Sequence, residues 1–565
     1  MRILSISEMR ALESTADMAG HSYAQMMEQA GKSLAIAVVQ HAPVKGRRIL
    51  VLVGPGNNGG DGLVAARLLH DSGAHVTAYL TGKRDPEQDI VFKQTQASGV
   101  KIVYAPDDPG CETLRRLTSQ AHVILDSLLG IGATPPLRGV VADVLRNVKA
   151  GLGQTITDPV TPLNRPPKLA PPRPLIVAVD GPSGLDFDSG AIDPLALKAH
   201  LTVTFAAPKW GHFTLPGAEY VGELLVADIG IPKSVEISSK GTALAAPKNV
   251  RQWLPSRPLD AHKGTFGKAL IAAGSVNYTG AALLAASAAV RAGAGLVTLA
   301  IPNLLHTAIV PALPEVTYIL LPHTLGVLDG RAMALLAEKI EGAGSPGEDS
   351  PGEPVLAYSA MLVGPGLSYT PETVAFMRRL LGLETGKRNT GFVPSEAKPE
   401  GKRPALPPLV VDADGLNILS DIPDWHTLLP PETILTPHPG EMARLTGKTT
   451  AEVQADRLHI AQTSAAAWGH VVVLKGAFTV IAAPDGEAAL LPFANPGLAS
   501  AGTGDVLAGA IVALRAQGLD AFQAAVAGAY LHGLAGEIIR ERLGTAGIAA
   551  SDVAHALPEA IQRIT

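Results

Sequence analysis

Short, almost purely apolar runs alternate with helical-period segments from one end of the chain to the other. In the first half the runs at 49–53, 75–80, 122–126, 175–180 and 201–205 read as strands, and helical patterns fill the intervals. The second half repeats the arrangement at 268–273, 296–301, 361–363, 409–412, 433–436 and 471–474, with another run at 479–482. Strands apolar on both faces and separated by helices predict parallel sheets covered on both sides, an α/β architecture built twice. Between 232 and 260 the pattern breaks into polar and proline-bearing sequence such as Leu254-Pro255-Ser256-Arg257-Pro258, which places the domain boundary there, with domains at 1–245 and 250–565. The segments 151–174, 341–354 and 384–408 mix proline, glycine and charge without periodicity and are expected to be surface insertions carrying no chemistry. No short period recurs, so a repeat array is excluded.

Composition narrows the class. A chain of 565 residues is too long for one ordinary core and fits two large domains. With 47% hydrophobic, 4% aromatic and 17% charged residues it is globular and packed by small side chains, which excludes disorder throughout. A net charge of −5 without a basic stripe leaves nothing to hold a nucleic-acid backbone. The single cysteine, Cys111, has no internal partner, and metal-spaced cysteine pairs are absent, so a reducing compartment, the cytoplasm, is expected. The amino terminus lacks the apolar core of a secretion signal and 281–290 is too short for a membrane span, so a soluble protein is expected.

The segment with the clearest chemistry lies near the end. Asn495-Pro496-Gly497-Leu498-Ala499-Ser500-Ala501-Gly502-Thr503-Gly504-Asp505 leads into a helix on which Val506, Leu507, Ala510, Ile511 and Leu514 share a face. Gly502 to Gly504 then occupy a helix start, where free N–H groups and the dipole attract phosphate. A carboxylate beside that phosphate is suited to act as general base for a hydroxyl attacking a phosphoryl group. An acid in a first helical turn is also common for its own sake, and this segment alone leaves both readings open.

In the first half, the run at 49–53 enters Gly54-Pro55-Gly56-Asn57-Asn58-Gly59-Gly60-Asp61-Gly62, with a helix expected from about Leu63. A dinucleotide-binding loop of the ordinary kind calls for an acid near the end of the next strand, where Leu80-Thr81-Gly82-Lys83-Arg84 stands instead. Two further strand ends run into Gly130-Ile131-Gly132-Ala133-Thr134-Pro135-Pro136 and Asp180-Gly181-Pro182-Ser183-Gly184. Carboxyl ends of strands form the ligand crevice of a doubly wound sheet. Asn58, Asp126 and Ser183 offer hard oxygen ligands to a cation, and Asp180 faces the crevice as acid or base. Turn chemistry explains each loop singly; three such loops at three strand ends favour a site.

These residues together resemble the NAD(P)H-hydrate epimerase family over roughly 1–245, with the Asn57-Asn58-Gly59-Gly60-Asp61 loop the most specific part. The resemblance implies a Rossmann-like domain that interconverts the R and S forms of hydrated NADH or NADPH beside a bound potassium ion. It assigns the ion to Asn58, Asp126 and Ser183, and the substrate to Asn57, Asn58, Gly59, Gly60, Asp61, the loop from Gly130 to Pro136, and Asp180, with Asp180 catalytic. Ile131 departs from the family's usual threonine.

Further motifs stand in the second half: Ala273-Gly274-Ser275, Gly280-Ala281-Ala282, Val363-Gly364-Pro365-Gly366-Leu367, Val411-Asp412-Ala413-Asp414-Gly415, Thr436-Pro437-His438-Pro439-Gly440-Glu441 and Leu474-Lys475-Gly476-Ala477-Phe478-Thr479. His438, held between prolines, loses little entropy on ordering and is a candidate substrate contact, although a lone histidine is more often structural. Lys475 offers a cation for phosphate, or is a solvated surface lysine. From about 250 onward the chain is similar to the ADP- or ATP-dependent NAD(P)H-hydrate dehydratase family, which implies a ribokinase-like fold and a three-layer αβα arrangement in each domain. The resemblance assigns Lys475, Gly476, Ala477, Phe478, Thr479 and Gly504 to the adenine nucleotide with Mg²⁺, and Ala282, Gly366, His438 and catalytic Asp505 to the hydrate. It also implies a homo-oligomer. Rival readings are a vitamin kinase that keeps its phosphoester, a non-catalytic or RNA-binding first half, and, weakest, a dehydrogenase.

Overall fold

In a computed structural model, the described residues are 1–132, 134–153, 174–232, 234–235, 241–341, 356–383 and 405–565. The three expected insertions therefore lie outside the described residues apart from their ends, as does Ala133. The chain divides into two compact units, Met1–Ser239 and Lys240–Thr565. Among the described residues no helix is long and apolar enough to cross a membrane.

The first unit begins with helices α1 (Ile6–Met18) and α2 (Tyr23–His41), followed by strand β1 (Arg48–Val53) and helix α3 (Asn57–Asp71). Strands β2 (His75–Leu80), β3 (Lys101–Tyr104), β4 (Val123–Ser127), β5 (Leu175–Val179), β6 (Leu201–Phe205) and β7 (Glu223–Ala227) complete a parallel sheet in the order β3-β2-β1-β4-β5-β6-β7. Five of these strands sit where the apolar runs predict them. The other two, β3 and β7, are the sheet edges and only half-buried; their apolar runs, Ile102 to Tyr104 and Leu224 to Ala227, were not singled out by the sequence reading. The order reverses between β1 and β4, which opens a crevice at the carboxyl ends of those two strands.

In the second unit β8 (Thr242–Leu244) is followed by β9 (Lys268–Ala272), β10 (Leu296–Pro302) and β11 (Thr317–Leu321). A small hairpin, β12 (His323–Thr324) and β13 (Val327–Leu328), precedes β14 (Ala360–Val363), β15 (Leu409–Val411), β16 (Ile434–Leu435), β17 (Val471–Leu474), β18 (Val480–Ala482) and β19 (Ala488–Leu490). The ten-stranded order is β11-β10-β9-β14-β15-β16-β17-β18-β19-β8, reversing between β9 and β14. Two features depart from the sequence reading. Residues 242–244, placed there in the first domain, pair with β19 in the second sheet, and β18 joins β17 and β19 antiparallel, so this sheet is mixed. The helix Thr503–Ala516 also differs from the one-sided helix expected, because Ala508, Gly509, Val512 and Ala513 are buried along with the expected face. It runs through the middle of the alanine-rich core together with the helix Thr279–Arg291, and Gly509 lets the two backbones meet: a Cβ there would strike the Ala285 carbonyl.

Candidate active sites

The glycine segment after β1 is helical rather than a loop. Helix α3 starts at Asn57 with Gly56 as its cap, so Asn57 to Gly62 form its first turns. Glycines are poor helix formers, but here close approach requires them: a Cβ on Gly59 would collide with the Gly54 carbonyl, and one on Gly62 with the Ser127 hydroxyl. Arg84, standing where a dinucleotide fold would place an acid, donates to the carbonyls of Gly54 (2.6 Å) and Gly56 (3.0 Å) and braces the turn.

Across the crevice, Asp126 at the end of β4 is 1% exposed. Its Oδ1 accepts from the Ser183 hydroxyl (2.6 Å) and its Oδ2 from the Ser183 N–H (2.9 Å), while Ser183 Oγ accepts from Leu129 N–H at 3.0 Å. Asn58 Nδ2 donates to the Leu129 carbonyl at 2.9 Å, so Asn58, Asp126 and Ser183 converge on one loop. Burial pushes the Asp126 carboxyl up and its hydrogen bonds with Ser183 and Leu128 pull it down, and among the described residues no salt bridge reaches it. A buried carboxylate short of a counter-charge, ringed by neutral oxygens, fits a hard monovalent cation.

Asp180 stands just past β5 with φ +63°, a left-handed backbone that is uncommon outside glycine. Its Oδ1 accepts from Thr204 Oγ1 (2.7 Å) and Lys209 Nζ (2.6 Å), and Lys209 also donates to the Phe205 carbonyl at 3.2 Å. Burial alone would push this carboxyl up, but the Lys209 ammonium holds it below the usual carboxylate range. His212 completes the group: Nδ1 accepts from Lys209 N–H (3.1 Å), so Nε2 carries the proton and donates to the Asp180 carbonyl at 2.9 Å. That imidazole is neutral, pushed down to about 4 by burial and by Lys209. Asp61 behaves oppositely to Asp180. Burial, with the charges of Asp180 and Glu13 added, pushes its carboxyl well above the ordinary value. One crevice thus holds a carboxyl shifted down beside a carboxyl shifted up, the combination acid–base chemistry at one carbon needs. Sequence reasoning missed Lys209, Thr204, His212 and Glu13; the one available signal was the position of Lys209 shortly after a strand of the same sheet as Asp180. Ile131, the departure from the family's threonine, packs its side chain against Leu4, Met9, Leu12 and Ala207 and makes no demand for a hydroxyl. Thr134 and Pro136 are exposed on the same loop.

In the second unit the loops after β14, β15, β16 and β17 gather carboxyls around one lysine. Lys475 Nζ reaches Asp412 Oδ1 at 2.7 Å and Glu441 Oε2 at 3.7 Å, and Thr436 Oγ1 donates to the same Asp412 oxygen at 2.8 Å. Burial opposes the lysine's charge, yet its two acidic neighbours raise its pKa, so it stays an ammonium. Rather than standing free for phosphate, Lys475 is committed to this cluster. His438 is likewise occupied: its Nδ1 accepts from the N–H groups of Gly440 (3.0 Å) and Glu441 (3.3 Å), capping the helix Pro439–Thr446, while half of its side chain stays exposed beside the cluster. Asp414 accepts from Ser368 N–H at 2.8 Å, and Ala413 between the two aspartates has φ +51°. Such backbone collects at functional sites. Gly415 lies so close to the ends of β14 and β15 that a Cβ would sit 2.8 Å from Val411 Cγ1 and 3.1 Å from Gly364 Cα.

Asp505 occupies the first turn of the helix Thr503–Ala516, whose cap Gly502 has φ +90°. Burial, then Asp412, push its carboxyl up to about 7, with Lys475 pulling the other way. At neutral pH it therefore both holds and releases a proton, beside first-turn N–H groups that have no partner inside the helix. Gly504 borders the lysine, since a Cβ there would lie 3.5 Å from Lys475 Nζ. Gly476 (φ +140°) and Phe478 (φ +52°) shape the Lys475-Gly476-Ala477-Phe478-Thr479 loop, with Arg457 donating to the Leu474 and Lys475 carbonyls at 2.8 and 3.2 Å. Among the described residues no three His, Cys, Asp or Glu side chains are grouped to hold a metal ion. No ready-made magnesium cage is therefore present among the described residues, and a magnesium ion would come water-clad and carried on nucleotide phosphates.

Ala282 is fully buried in the core, where a Cβ on Gly274 would lie 2.9 Å from its own Cβ. Gly366, also buried, has φ +61°, and a Cβ there would meet Ala281 Cβ at 2.7 Å and Tyr278 Cβ at 2.8 Å. Gly366→Ala is expected to destabilise the second unit by about 1–3 kcal/mol and to lower its activity; an unchanged denaturation midpoint would count against this packing.

Comparison with known proteins agrees with both halves. A family model described as NAD(P)H-hydrate dehydratase matches residues 269–559, and one described as YjeF-related protein N-terminus matches 23–211. The bifunctional NAD(P)H-hydrate repair enzyme Nnr of Moorella thermoacetica is 36% identical over 95% of this chain and 92% of its own length. The enzyme of the same name from Thermofilum pendens is 35% identical over 100% and 97%. Among solved structures, the ADP/ATP-dependent NAD(P)H-hydrate dehydratase of Bacillus subtilis, co-crystallised with ATP and Mg²⁺, is 31% identical, with a TM-score of 0.44 over 57% of this chain and 99% of its own. With full-length relatives at this identity, and both crevices furnished as described, the chain belongs to the family of bifunctional NAD(P)H-hydrate repair enzymes.

Proposed function

We propose that the first unit interconverts the R and S forms of hydrated NADH and NADPH, and that the second dehydrates the S form using ADP or ATP as phosphoryl donor. The observation that carries the second activity is Asp505, a carboxyl titrating near pH 7 at a helix start built to hold an anion. Asp505 takes the proton of the C6 hydroxyl as that oxygen attacks the terminal phosphorus of the nucleotide, whose loop is Lys475 to Thr479 with Gly504. The N–H groups at the helix start face the charge that develops on the transferred phosphoryl. Magnesium brought by the nucleotide supplies further positive charge there. The C6–O bond then breaks with phosphate leaving, pushed by the ring nitrogen lone pair, and loss of a C5 proton restores the C5–C6 double bond. Lys475 keeps Asp412 and Glu441 from adding their full charge to Asp505, and His438 and Gly366 border the hydrate.

In the first unit, Asp61 protonates the C6 hydroxyl so that the C6–O bond breaks and water leaves with the ring nitrogen lone pair taking up the charge, and Asp180, held ionised by Lys209, takes a proton from the water that re-forms the bond on either face. The turn Asn57 to Asp61 and the loop Gly130 to Pro136 hold the substrate. Asn58, Asp126 and Ser183 would hold potassium, which supplies a fixed positive charge under these loops. Homo-oligomerisation belongs to the same proposal.

The test incubates the purified chain with a mixture of R and S hydrates, Mg²⁺ and ADP or ATP. Complete recovery of reduced-nicotinamide absorbance with one phosphate released per coenzyme is expected, whereas a stable phosphoester in the phosphorus NMR spectrum would replace this reading with a kinase. Exchanging potassium for lithium is expected to slow R-to-S conversion several-fold and leave dehydration of pure S hydrate unaltered. Equal rates in the two salts would remove the ion from Asn58, Asp126 and Ser183.

A further inference from the structure

The hairpin β12–β13 turns on a leucine in an unusual place. Its two-residue turn, Leu325-Gly326, has φ +49° and +84°, the left-handed pair of a type I′ turn, for which Asn-Gly is the ordinary choice. A leucine in that conformation is strained, and its side chain is 90% exposed, so neither the turn nor the core calls for it. Strain of this kind collects at functional sites.

The hairpin is held rigidly beside the hydrate site. Arg331 donates to the His323 carbonyl (3.0 Å) and to Thr324 Oγ1 (3.2 Å), and Thr324 Oγ1 donates to Asp329 Oδ2 (2.7 Å). The Gly326 carbonyl accepts from Val276 N–H at 3.0 Å, and a Cβ on Gly326 would stand 2.6 Å from Val276 Cβ and 3.4 Å from Leu304 Cδ2. The loop after β9 is tied in turn to the loop after β14: Gly274 N–H donates to the Pro365 carbonyl at 2.9 Å, and the Ser275 and Ser368 hydroxyls bond at 2.9 Å. Tyr278 stands where these loops meet, its Cβ 2.8 Å from the place a Cβ of Gly366 would take. Val276, Tyr278 and Leu304 are 40–56% exposed, so with Leu325 they form an apolar patch running outward from Gly366.

Strand order indicates what reaches this patch. Along β11-β10-β9-β14-β15-β16-β17, the nucleotide loop follows β17, Gly366 follows β14, and the patch follows β9, β10 and β11. With the phosphoryl donor on the β17 side and the hydrated ring at Asp505 and Gly366, the rest of the coenzyme runs the other way. Three strand spacings, about 14 Å, separate β14 from β11, a distance one dinucleotide spans. We propose that Tyr278, Val276 and Leu325 form a shelf for the adenosine end of the hydrated coenzyme, a reading that rests on the dehydratase assignment and deepens it. Tyr278 stacks on the purine, offering a flat apolar face at low entropic cost, and Leu325 covers the edge of the base. The braced hairpin holds Leu325 in place before substrate arrives, so binding orders little.

The test compares two substrates of the full-length enzyme: the S hydrate of NADH, and the S hydrate of reduced nicotinamide mononucleotide, which lacks the adenosine half. In the wild type the mononucleotide hydrate is expected to show the higher KM. Tyr278→Ala is expected to raise KM for the NADH hydrate about tenfold, with kcat nearly unchanged and the mononucleotide constants hardly moved. No side-chain cap of the helix Thr279–Arg291 is lost with it. Leu325→Asn puts the favoured residue in the turn, so its unfolding midpoint is kept or raised while the same KM rises several-fold. A wild type with one KM for both hydrates, or variants that change both substrates equally or neither, overturns the shelf. Sedimentation of the same variants gives a further check: a smaller assembly in Leu325→Asn assigns the patch to contact between copies of the chain and overturns the proposal. A wild type that dehydrates neither hydrate overturns the dehydratase reading itself.

Discussion

Asp505→Asn is expected to lower dehydratase turnover about 10²- to 10⁴-fold while nucleotide affinity and epimerase activity stay near wild type. Asparagine keeps the shape and can still hydrogen-bond, but it cannot accept the hydroxyl proton. The N–H groups of the helix start, which hold the anion, belong to the backbone and survive the change. In the wild type the base form must be present, so turnover rises with pH, levels off above about 7 and falls roughly tenfold per pH unit below it. The same carboxyl predicts a stability effect of opposite sense. Its folded pKa is raised, so its contribution to stability is complete below the ordinary value near 3.8 and is lost as pH rises through about 7. At pH 8 the asparagine variant is therefore expected to unfold at higher temperature than the wild type, the stability–activity opposition typical of a burdened active site. Wild-type turnover in the variant, or a lower melting temperature at pH 8, would remove Asp505 from the role.

Lys209→Met is expected to abolish most epimerase activity and to destabilise the first unit by about 3–5 kcal/mol. The Lys209 side chain is 1% exposed and that of Asp180 10%, with their charged atoms 2.6 Å apart, so the substitution strands a buried carboxylate. The sign with pH follows from Asp180. Its pKa is lowered in the fold, so the pair contributes stability that is present above the ordinary carboxylate value and lost as pH falls through the lowered one. The deficit of Lys209→Met should accordingly be largest at neutral pH and shrink in acid, where the stranded carboxyl takes up a proton. The double variant Lys209→Met/Asp180→Asn should recover most of the stability and none of the activity, since replacing both members of a buried pair by neutral groups is far milder than removing one. Chemical denaturation of the single variant at pH 7 with a wild-type midpoint would contradict this account.

Much of the scaffold was legible because it is written in short windows. Central strands such as β1, β4 and β9 are continuous apolar runs, and their ends turn into the glycine and aspartate loops that the sequence singles out. Edge strands β3, β7 and β11 were not legible, because one side or one end of each meets solvent and their composition is ordinary. Motifs marked residues without revealing their partners in the fold. Lys475 looked like a phosphate ligand, and the fold binds it to Asp412, 63 positions away in the chain. His438 was expected to be held in place by its flanking prolines, and its ring is further tied down by capping a helix. Asn57 to Gly62 looked like a loop, and close packing against Gly54 and Ser127 lets glycine stay helical there.

By itself the sequence determined two α/β units, their strand-end loops, and a glycine-led helix start holding an acid, because periodicity and turn chemistry act over a few residues. Only the tertiary structure decided in which direction each carboxyl is shifted. Asp180, Asp61 and Asp505 are the same residue type, yet one is shifted below its ordinary value, one well above it and one up to about 7. That difference comes from burial and from charges delivered by elements far apart in the chain, Lys209 and Glu13 in the first unit and Asp412 and Lys475 in the second.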